Sequence, residues 1–139
     1  MTGYVLMLGG AAIQWASRRQ PIVTKSTMAA EYVAASQATD ELMHVCKLLH
    51  DFGVGTTPVL LRQDNQSTAR SLVNPIEDGK TKYLQVRFRY VRERVASGEI
   101  AVEWVDSRRM LADMFTKPLQ RAKLPEMSAE LGLVGGTEV

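Results

Sequence analysis

Three carboxylates occupy positions in the sequence where acid chemistry could occur. Glu31 continues the apolar stripe of a long predicted helix over residues 28–52, close to the helix N-terminus, so its carboxylate would face the core. Asp64 follows an apolar strand over residues 58–61 and precedes a helix, where α/β sheets bind ligands. Asp113 lies one turn into a short helix that follows a strand.

Each of these positions also has an ordinary structural explanation. Glu31 could lie in water beyond the core edge, where a carboxylate favours the positive end of the helix dipole. Asp64 could cap the helix that follows it. Asp113 could complement a helix dipole or pair with Arg108 or Arg109, which contributes little to stability at a surface.

Considered together, the three carboxylates suggest metal chemistry. Carboxylates from different elements that converge at one end of a sheet make a site for hard cations such as Mg²⁺. Two such ions about 3.5–4 Å apart can activate a water and stabilise the leaving oxygen in phosphodiester hydrolysis.

A basic stretch over residues 80–94 offers a partner for a polyanion. It contains six basic residues and only one acid, Glu93. It is either a solvated helix face or a patch that faces nucleic acid. The six residues are Lys80, Lys82, Arg87, Arg89, Arg92 and Arg94.

Composition sets the broad class. The chain has 139 residues, of which 45% are hydrophobic and 23% charged, with a net charge of +2. These values exclude wholesale disorder and collagen and predict one domain over residues 1–134, with residues 135–139 as a loose tail. The single cysteine, Cys46, excludes an intrachain disulfide. No apolar run approaches the roughly 20 residues of a membrane helix, so we expect a soluble, intracellular protein without membrane contacts.

Apolar periodicity and turn residues predict the elements that position these groups. Antiparallel strands come first and are followed by strands that alternate with helices. This order predicts an α/β fold with a mixed sheet covered by helices. The predicted strands are 4–8, 11–18, 58–61 and 100–105, with a possible short strand at 22–23, and the predicted helices are 28–52, 66–73, 83–96, 110–116 and 124–131.

Several sequence strings resemble the ribonuclease H domain of copia-type retrotransposon polyproteins, the Pol chains that also carry integrase and reverse transcriptase. The resemblance follows the order and spacing of the family and runs from Gly3 to about Leu133. It also includes the helix over residues 81–93. The strings are GYVLMLGG (3–10), IQWAS (13–17), STMAAEYVA (26–34), DNQS (64–67), GEI (98–100) and LADMFTKPL (111–119).

The resemblance implies a ribonuclease H fold, a five-stranded mixed sheet with helices on both faces. It also implies cutting of the RNA strand of an RNA–DNA hybrid during reverse transcription, with Mg²⁺ or Mn²⁺ as the cofactor. By motif, Glu31, Asp64 and Asp113 correspond to three of the four catalytic, metal-binding carboxylates. The implied partners are the hybrid or other nucleic acid and the reverse transcriptase part of the same polyprotein.

The chain also departs from the family pattern. The fourth carboxylate of the family is an aspartate on a first strand upstream of Gly3, so we expect a truncated first strand, an incomplete two-metal site and weak or no activity in this chain alone. The strand edge over residues 4–8 would then be open, and a second copy could pair with it to form a homodimer. Ala29 stands where the family often has an acid, and Tyr83 and Gln85 where histidine and an acid are common. The alternative function is a non-catalytic remnant that binds nucleic acid or protein.

Overall fold

A computed structural model describes residues 2–19, 27–55, 58–74 and 82–133, except for the side chains of residues 27–28 and 82–84. The chain forms two compact units, Met1–Arg19 with Leu111–Val139, and Gln20–Met110. The possible strand at 22–23 and the predicted tail at 135–139 lie outside the described residues. The single domain over residues 1–134 stays a prediction.

The first unit begins with an antiparallel hairpin. Strands β1 (Thr2–Leu8) and β2 (Ala11–Arg18) pair up to Leu8 and Ala11, with Gly9 and Gly10 as the two-residue turn. Both glycines have positive φ, 60° and 84°, as a type I′ turn requires at its two central positions. The predicted antiparallel strands over residues 4–8 and 11–18 are therefore confirmed, and they form a hairpin.

In the second unit, the long helix α1 (Thr27–Asp51) is confirmed almost to the residue. It ends at Gly53, whose φ of 77° is the left-handed conformation that commonly terminates helices. In the apolar stripe that continues from Glu31, Ala35 and Ala38 are buried, whereas Leu42, Val45 and Leu49 are half-buried. The most deeply buried positions of α1 are Tyr32, Val33, Ser36 and Thr39.

The second sheet is parallel. Strand β3 (Val59–Gln63) pairs with β4 (Ile100–Trp104) in a register that sets Val59 opposite Ile100 and Gln63 opposite Trp104. Helices α2 (Gln66–Val73) and α3 (Lys82–Ala96) connect the two strands, as a parallel pair requires. An uninterrupted apolar run such as residues 58–61 is typical of a strand covered on both faces, but Leu60 is 48% exposed. Among the described residues, β3 is therefore covered on one face only.

The core of the second unit joins its helices. The Tyr32 ring on α1 meets the Phe88 ring on α3 edge to face, with centroids 4.6 Å apart. The Tyr32 hydroxyl forms a hydrogen bond with the Ser71 hydroxyl on α2. Leu72 of α2 and Val91 of α3 are almost fully buried in the same core. Aromatic pairs of this kind contribute about 0.5–1.5 kcal/mol beyond the area they bury.

The first unit closes with its C-terminal segments. The predicted helix over residues 110–116 is a short 3₁₀ segment, Leu111–Phe115. It packs against β1 so closely that a Cβ added to Gly3 would lie 2.4 Å from the Thr116 methyl group, which explains the glycine at that position. Helix α4 (Leu124–Glu130) follows, and the backbone oxygen of Leu131 accepts a hydrogen bond from Ala12 of β2 over 2.9 Å.

The described strands form two two-stranded sheets, one antiparallel and one parallel. The α/β class is confirmed, whereas the five-stranded sheet and the homodimer stay predictions. Within the part of the chain that the structure describes, no helix has the length and apolar character needed to cross a membrane.

Candidate functional site

Glu31 lies on the first turns of α1 and is half-buried. Its Oε2 accepts a hydrogen bond from Nε2 of Gln63, the last residue of β3, over 3.0 Å. The carboxylate is therefore turned toward the end of a strand, in agreement with its place on the inward stripe. This contact disfavours the explanation in which Glu31 lies in water beyond the core.

Asp64 does not cap α2. The cap is Asn65, whose Oδ1 accepts a hydrogen bond from the backbone N–H of Thr68 over 3.0 Å. The Asp64 carboxylate instead accepts a hydrogen bond at Oδ2 from the Ser107 hydroxyl over 3.1 Å. Its backbone oxygen accepts one from the indole N–H of Trp104 over 2.9 Å. The capping explanation is thus wrong for Asp64 and correct for its neighbour.

Glu31 and Asp64 are both attached to the carboxyl end of β3. Gln63 contacts Glu31 through its side chain, and Asp64 follows it in the chain. The backbone oxygen of Gln63 accepts a hydrogen bond from Val105, just beyond β4, over 3.0 Å. Ligand sites of α/β sheets lie at the carboxyl ends of parallel strands. Two of the acids singled out from the sequence, Glu31 and Asp64, are at such a strand end.

A third acid at this strand end, Asp106, is already balanced by a cation. Its Oδ1 accepts hydrogen bonds from the backbone N–H of Arg108 over 2.9 Å and from Arg108 Nε over 3.1 Å. The Arg108 side chain, followed by its backbone N–H, lowers the pKa of Asp106 from 3.8 to about 2. Asp106 begins the 3₁₀ segment Ser107–Arg109, so the same pair shapes the loop that carries Ser107.

Asp113 belongs to the other compact unit and has a partner of its own. Lys117 Nζ lies 2.9 Å from the carboxylate, and the Asp113 side chain is 18% exposed. The alternative of a surface ion pair for Asp113 is realised with Lys117, whereas Arg108 pairs with Asp106. The four-residue spacing of Asp113 and Lys117 could have indicated this pair. In the described ranges, no three His, Cys, Asp or Glu side chains form a group able to hold a metal ion.

Several arginines of the basic stretch contact other residues of the protein. Arg94 makes two contacts with Glu99, at 3.0 and 3.1 Å, and these raise its pKa. Arg87 donates to the Ser36 hydroxyl over 3.4 Å, and the Arg92 guanidinium lies 5.2 Å from the centroid of the Phe88 ring.

Arg89 is the exposed member of this stretch on the described part of α3. Lys80 lies outside the described residues, and of Lys82 only its place at the start of α3 is described.

Sequence reasoning missed three residues that contact the two acids: Gln63 and Ser107 donate to the carboxylates of Glu31 and Asp64, and Trp104 donates to the backbone oxygen of Asp64. For Gln63 the sequence holds a signal, since strand alternation puts position 63 on the same face as the apolar Leu61, and the structure shows Gln63 buried there. A buried amide on an apolar strand face indicates a polar partner. Nothing in the local sequence indicates that Ser107 reaches Asp64, which lies 43 residues earlier.

No family model and no solved structure matches the chain. Curated relatives do match. The chain is 31% identical over 133 residues to "Retrovirus-related Pol polyprotein from transposon RE2" of Arabidopsis thaliana, which covers 95% of the chain and 9% of that protein. It is 30% identical over 132 residues to the corresponding polyprotein from transposon RE1 of the same plant, covering 94% of the chain and 9% of that polyprotein.

A third relative extends the match to another plant. The chain is 32% identical over 130 residues to "Retrovirus-related Pol polyprotein from transposon TNT 1-94" of Nicotiana tabacum, covering 94% of the chain and 10% of the relative. The chain thus spans about a tenth of the length of the curated relatives it matches. These matches across nearly all of its residues show that the chain is a domain derived from the Pol polyproteins of copia-type retrotransposons.

Proposed function

We propose that this domain is the ribonuclease H part of a copia-type Pol polyprotein. It hydrolyses the RNA strand of RNA–DNA hybrids with Mg²⁺ or Mn²⁺, for which Glu31 and Asp64 are the candidate ligands in the second unit; the family resemblance assigns Asp113 to the same set of carboxylates. The observation that carries the proposal is that Glu31 and Asp64, which both stand in motifs of the family, meet at one end of β3, where Glu31 bonds to Gln63 and Asp64 follows it. The reverse transcriptase part of the same polyprotein would supply the hybrid.

The donor chemistry of Glu31 and Asp64 fits a hard divalent cation. Mg²⁺ keeps several waters and is commonly bound through one or two carboxylates. The Gln63 amide and the Ser107 hydroxyl are neutral donors, so they orient the two carboxylates without adding a positive charge. Asp113 enters as the third carboxylate through the resemblance alone.

In the proposed hydrolysis, bound cations and residues of the chain have different roles. Bound cations supply activation of a water nucleophile and stabilisation of the leaving oxygen. The carboxylates of Glu31 and Asp64 lie at a strand end whose backbone is fixed by the hydrogen bond from the Val105 N–H to the Gln63 oxygen. The exposed Arg89 can contact a phosphate, because its side chain faces solvent.

Cleavage of a labelled RNA–DNA hybrid in Mg²⁺ tests the proposal. The family takes its fourth carboxylate from a strand that precedes the position of Gly3, so the chain is assayed beside a form extended by that strand. We expect the extended form to cut the RNA strand and Asp64→Asn to lower its rate by at least about 100-fold. Asp40→Asn is the matched control, because Asp40 is exposed on α1. The absence of Mg²⁺-dependent cleavage by the extended form contradicts the proposal.

The assay also separates the alternative function. A non-catalytic module would bind the hybrid without cutting it, and its binding would weaken steeply with salt. That binding would also survive Glu31→Gln and Asp64→Asn. Loss of Mg²⁺-dependent binding in either variant would instead place the cation at these carboxylates.

A further inference from the structure

The end of β3 contains a polar side chain whose burial needs an explanation. Gln63 is 7% exposed and lies on the same strand face as the buried Leu61, whereas Arg62 on the opposite face is exposed. Burying an amide without hydrogen bonds is unfavourable relative to leaving it in water. Gln63 recovers that cost through Nε2, which donates to Glu31 Oε2 over 3.0 Å.

The chemistry of this contact is specific. An ionised carboxylate can only accept hydrogen bonds, so the amide nitrogen of Gln63, and not its oxygen, must face Glu31. A lysine or arginine in the same place would fix Glu31 equally well but would cancel its charge. Glutamine orients the carboxylate and leaves the charge available to a cation.

The main chain of Gln63 is also fixed. Its backbone oxygen accepts from Val105, and the next residue, Asp64, is held by Trp104 and Ser107 of the segment that begins with the end of β4. The dipeptide Gln63–Asp64 therefore links the two acids: its first side chain sets the position of Glu31, and its second residue supplies the other carboxylate.

We propose that Gln63 is a positioning residue that sets the affinity of the Glu31 and Asp64 carboxylates for a divalent cation. This inference rests on the proposed function. Residues that hydrogen-bond to metal ligands typically change metal affinity about 10- to 100-fold when they are replaced. The donor at position 63 reaches one ligand only, so we expect an effect of about 10-fold, at the lower end of that range.

Binding of Mn²⁺ alone, measured from the electron paramagnetic resonance signal of the free ion, tests this role without substrate. Gln63→Met keeps an unbranched side chain of similar size but removes the donor, and we expect it to weaken Mn²⁺ binding about 10-fold. Gln37→Met is the matched control, since Gln37 is a half-buried glutamine of α1, and it should leave the affinity within twofold.

A double-mutant cycle distinguishes positioning from a general effect on the fold. In a Glu31→Ala background, Gln63→Met should change Mn²⁺ affinity by less than twofold, because its target is gone. The conservative Gln63→Asn retains the amide on a shorter side chain and should recover part of the affinity. Urea unfolding of each variant verifies that it is folded at the temperature of the measurement.

The outcomes are distinct. If neither the starting chain nor the extended form shows Mn²⁺ binding that depends on Asp64, the proposed function fails and this inference fails with it. If the starting chain binds Mn²⁺ but Gln63→Met binds it equally well, only the inference is overturned. A loss of equal size in the Glu31→Ala background also overturns it. If Gln63→Met does not fold, the same comparisons are made with Gln63→Asn, which should bind more weakly than the starting chain only while Glu31 is present.

Discussion

The indole Nε1 of Trp104 donates a hydrogen bond to the backbone oxygen of Asp64 over 2.9 Å. Trp104 ends β4 and Asp64 follows β3, so this bond closes the carboxyl end of the parallel pair where the candidate site lies. The ring is nevertheless 50% exposed. Because Trp104 is half exposed and bonded to Asp64, its replacement by phenylalanine tests how much this hydrogen bond contributes to stability.

Trp104→Phe should lower the free energy of unfolding by about 1 kcal/mol, because it keeps an aromatic ring but removes the indole donor. Urea unfolding followed by circular dichroism measures the change. Trp15→Phe is the control, since Trp15 is 59% exposed on the hairpin of the other unit, and its effect should stay within about 0.5 kcal/mol. Equal losses in the two variants would contradict a structural role for the indole bond.

Substitutions at Asn65 and Asp64 should differ in how strongly they lower the free energy of unfolding. Asn65→Ala removes the side chain that accepts from Thr68 and should destabilise the protein by about 1 kcal/mol. Asp64→Asn keeps a side-chain acceptor and should change the free energy of unfolding by less than about 0.5 kcal/mol. Chemical denaturation of the two variants side by side measures the difference. An unchanged free energy of unfolding in Asn65→Ala would contradict the assignment of Asn65 as the cap.

Lys117 should contribute a small, salt-sensitive stabilisation. Its ammonium group lies 2.9 Å from the Asp113 carboxylate, but the Lys117 side chain is 57% exposed. Lys117→Met should therefore cost less than about 1 kcal/mol at low salt. The cost should shrink as NaCl rises from roughly 0.1 M to about 1 M, because screening shortens the range of the interaction. Lys123→Met, at an exposed lysine of the same unit, should show neither effect.

The arginines of α3 should differ in their contribution to nucleic-acid binding. Arg89→Ala removes an exposed charge and should weaken binding of an RNA–DNA hybrid while reducing the salt slope by about one unit. Arg94→Ala breaks the contact with Glu99 and should mainly reduce stability. Fluorescence anisotropy at several salt concentrations measures the first effect and thermal unfolding the second. If Arg94→Ala reduces the salt slope of hybrid binding and Arg89→Ala does not, Arg89 does not contact the phosphates of the nucleic acid as proposed.

Asp106 should make stability depend on pH in the acid range. Its pKa in the folded protein is about 2, below the ordinary 3.8, chiefly because the Arg108 side chain donates to its carboxylate. A lowered pKa gives a stabilisation that is fully present above the unfolded value and is lost as the pH falls from about 4 toward 2. The stability difference between the starting protein and Asp106→Asn should therefore vanish over that interval.

Carboxyl chemical shifts in a pH titration test the cause assigned to the Asp106 pKa. Arg108→Ala should return the pKa toward 3.8, since it removes the side-chain donor. Both groups are at the surface, so the accompanying change in stability is small. An unchanged pKa in Arg108→Ala would show that another group sets it.

Elements governed by local rules could be predicted from the sequence. The turn at Gly9 and Gly10, the helix over Gln66–Val73 and nearly the full length of α1 follow from glycine conformation, capping residues and apolar period. The segment Leu111–Phe115 could not be assigned correctly, because a few apolar residues before a proline fit α and 3₁₀ geometry equally well. Close packing against Gly3 accompanies the tighter form.

The sequence by itself determined which acids could carry metal chemistry: Glu31 by its place on an inward helix stripe, and Asp64 by its place after a strand. Only the tertiary structure decided what holds them, because Gln63, Ser107 and Trp104 reach their partners across 32 to 43 residues of chain. Periodicity and caps act within a few residues and specify elements. A hydrogen bond between distant elements depends on how those elements pack, which no local pattern encodes.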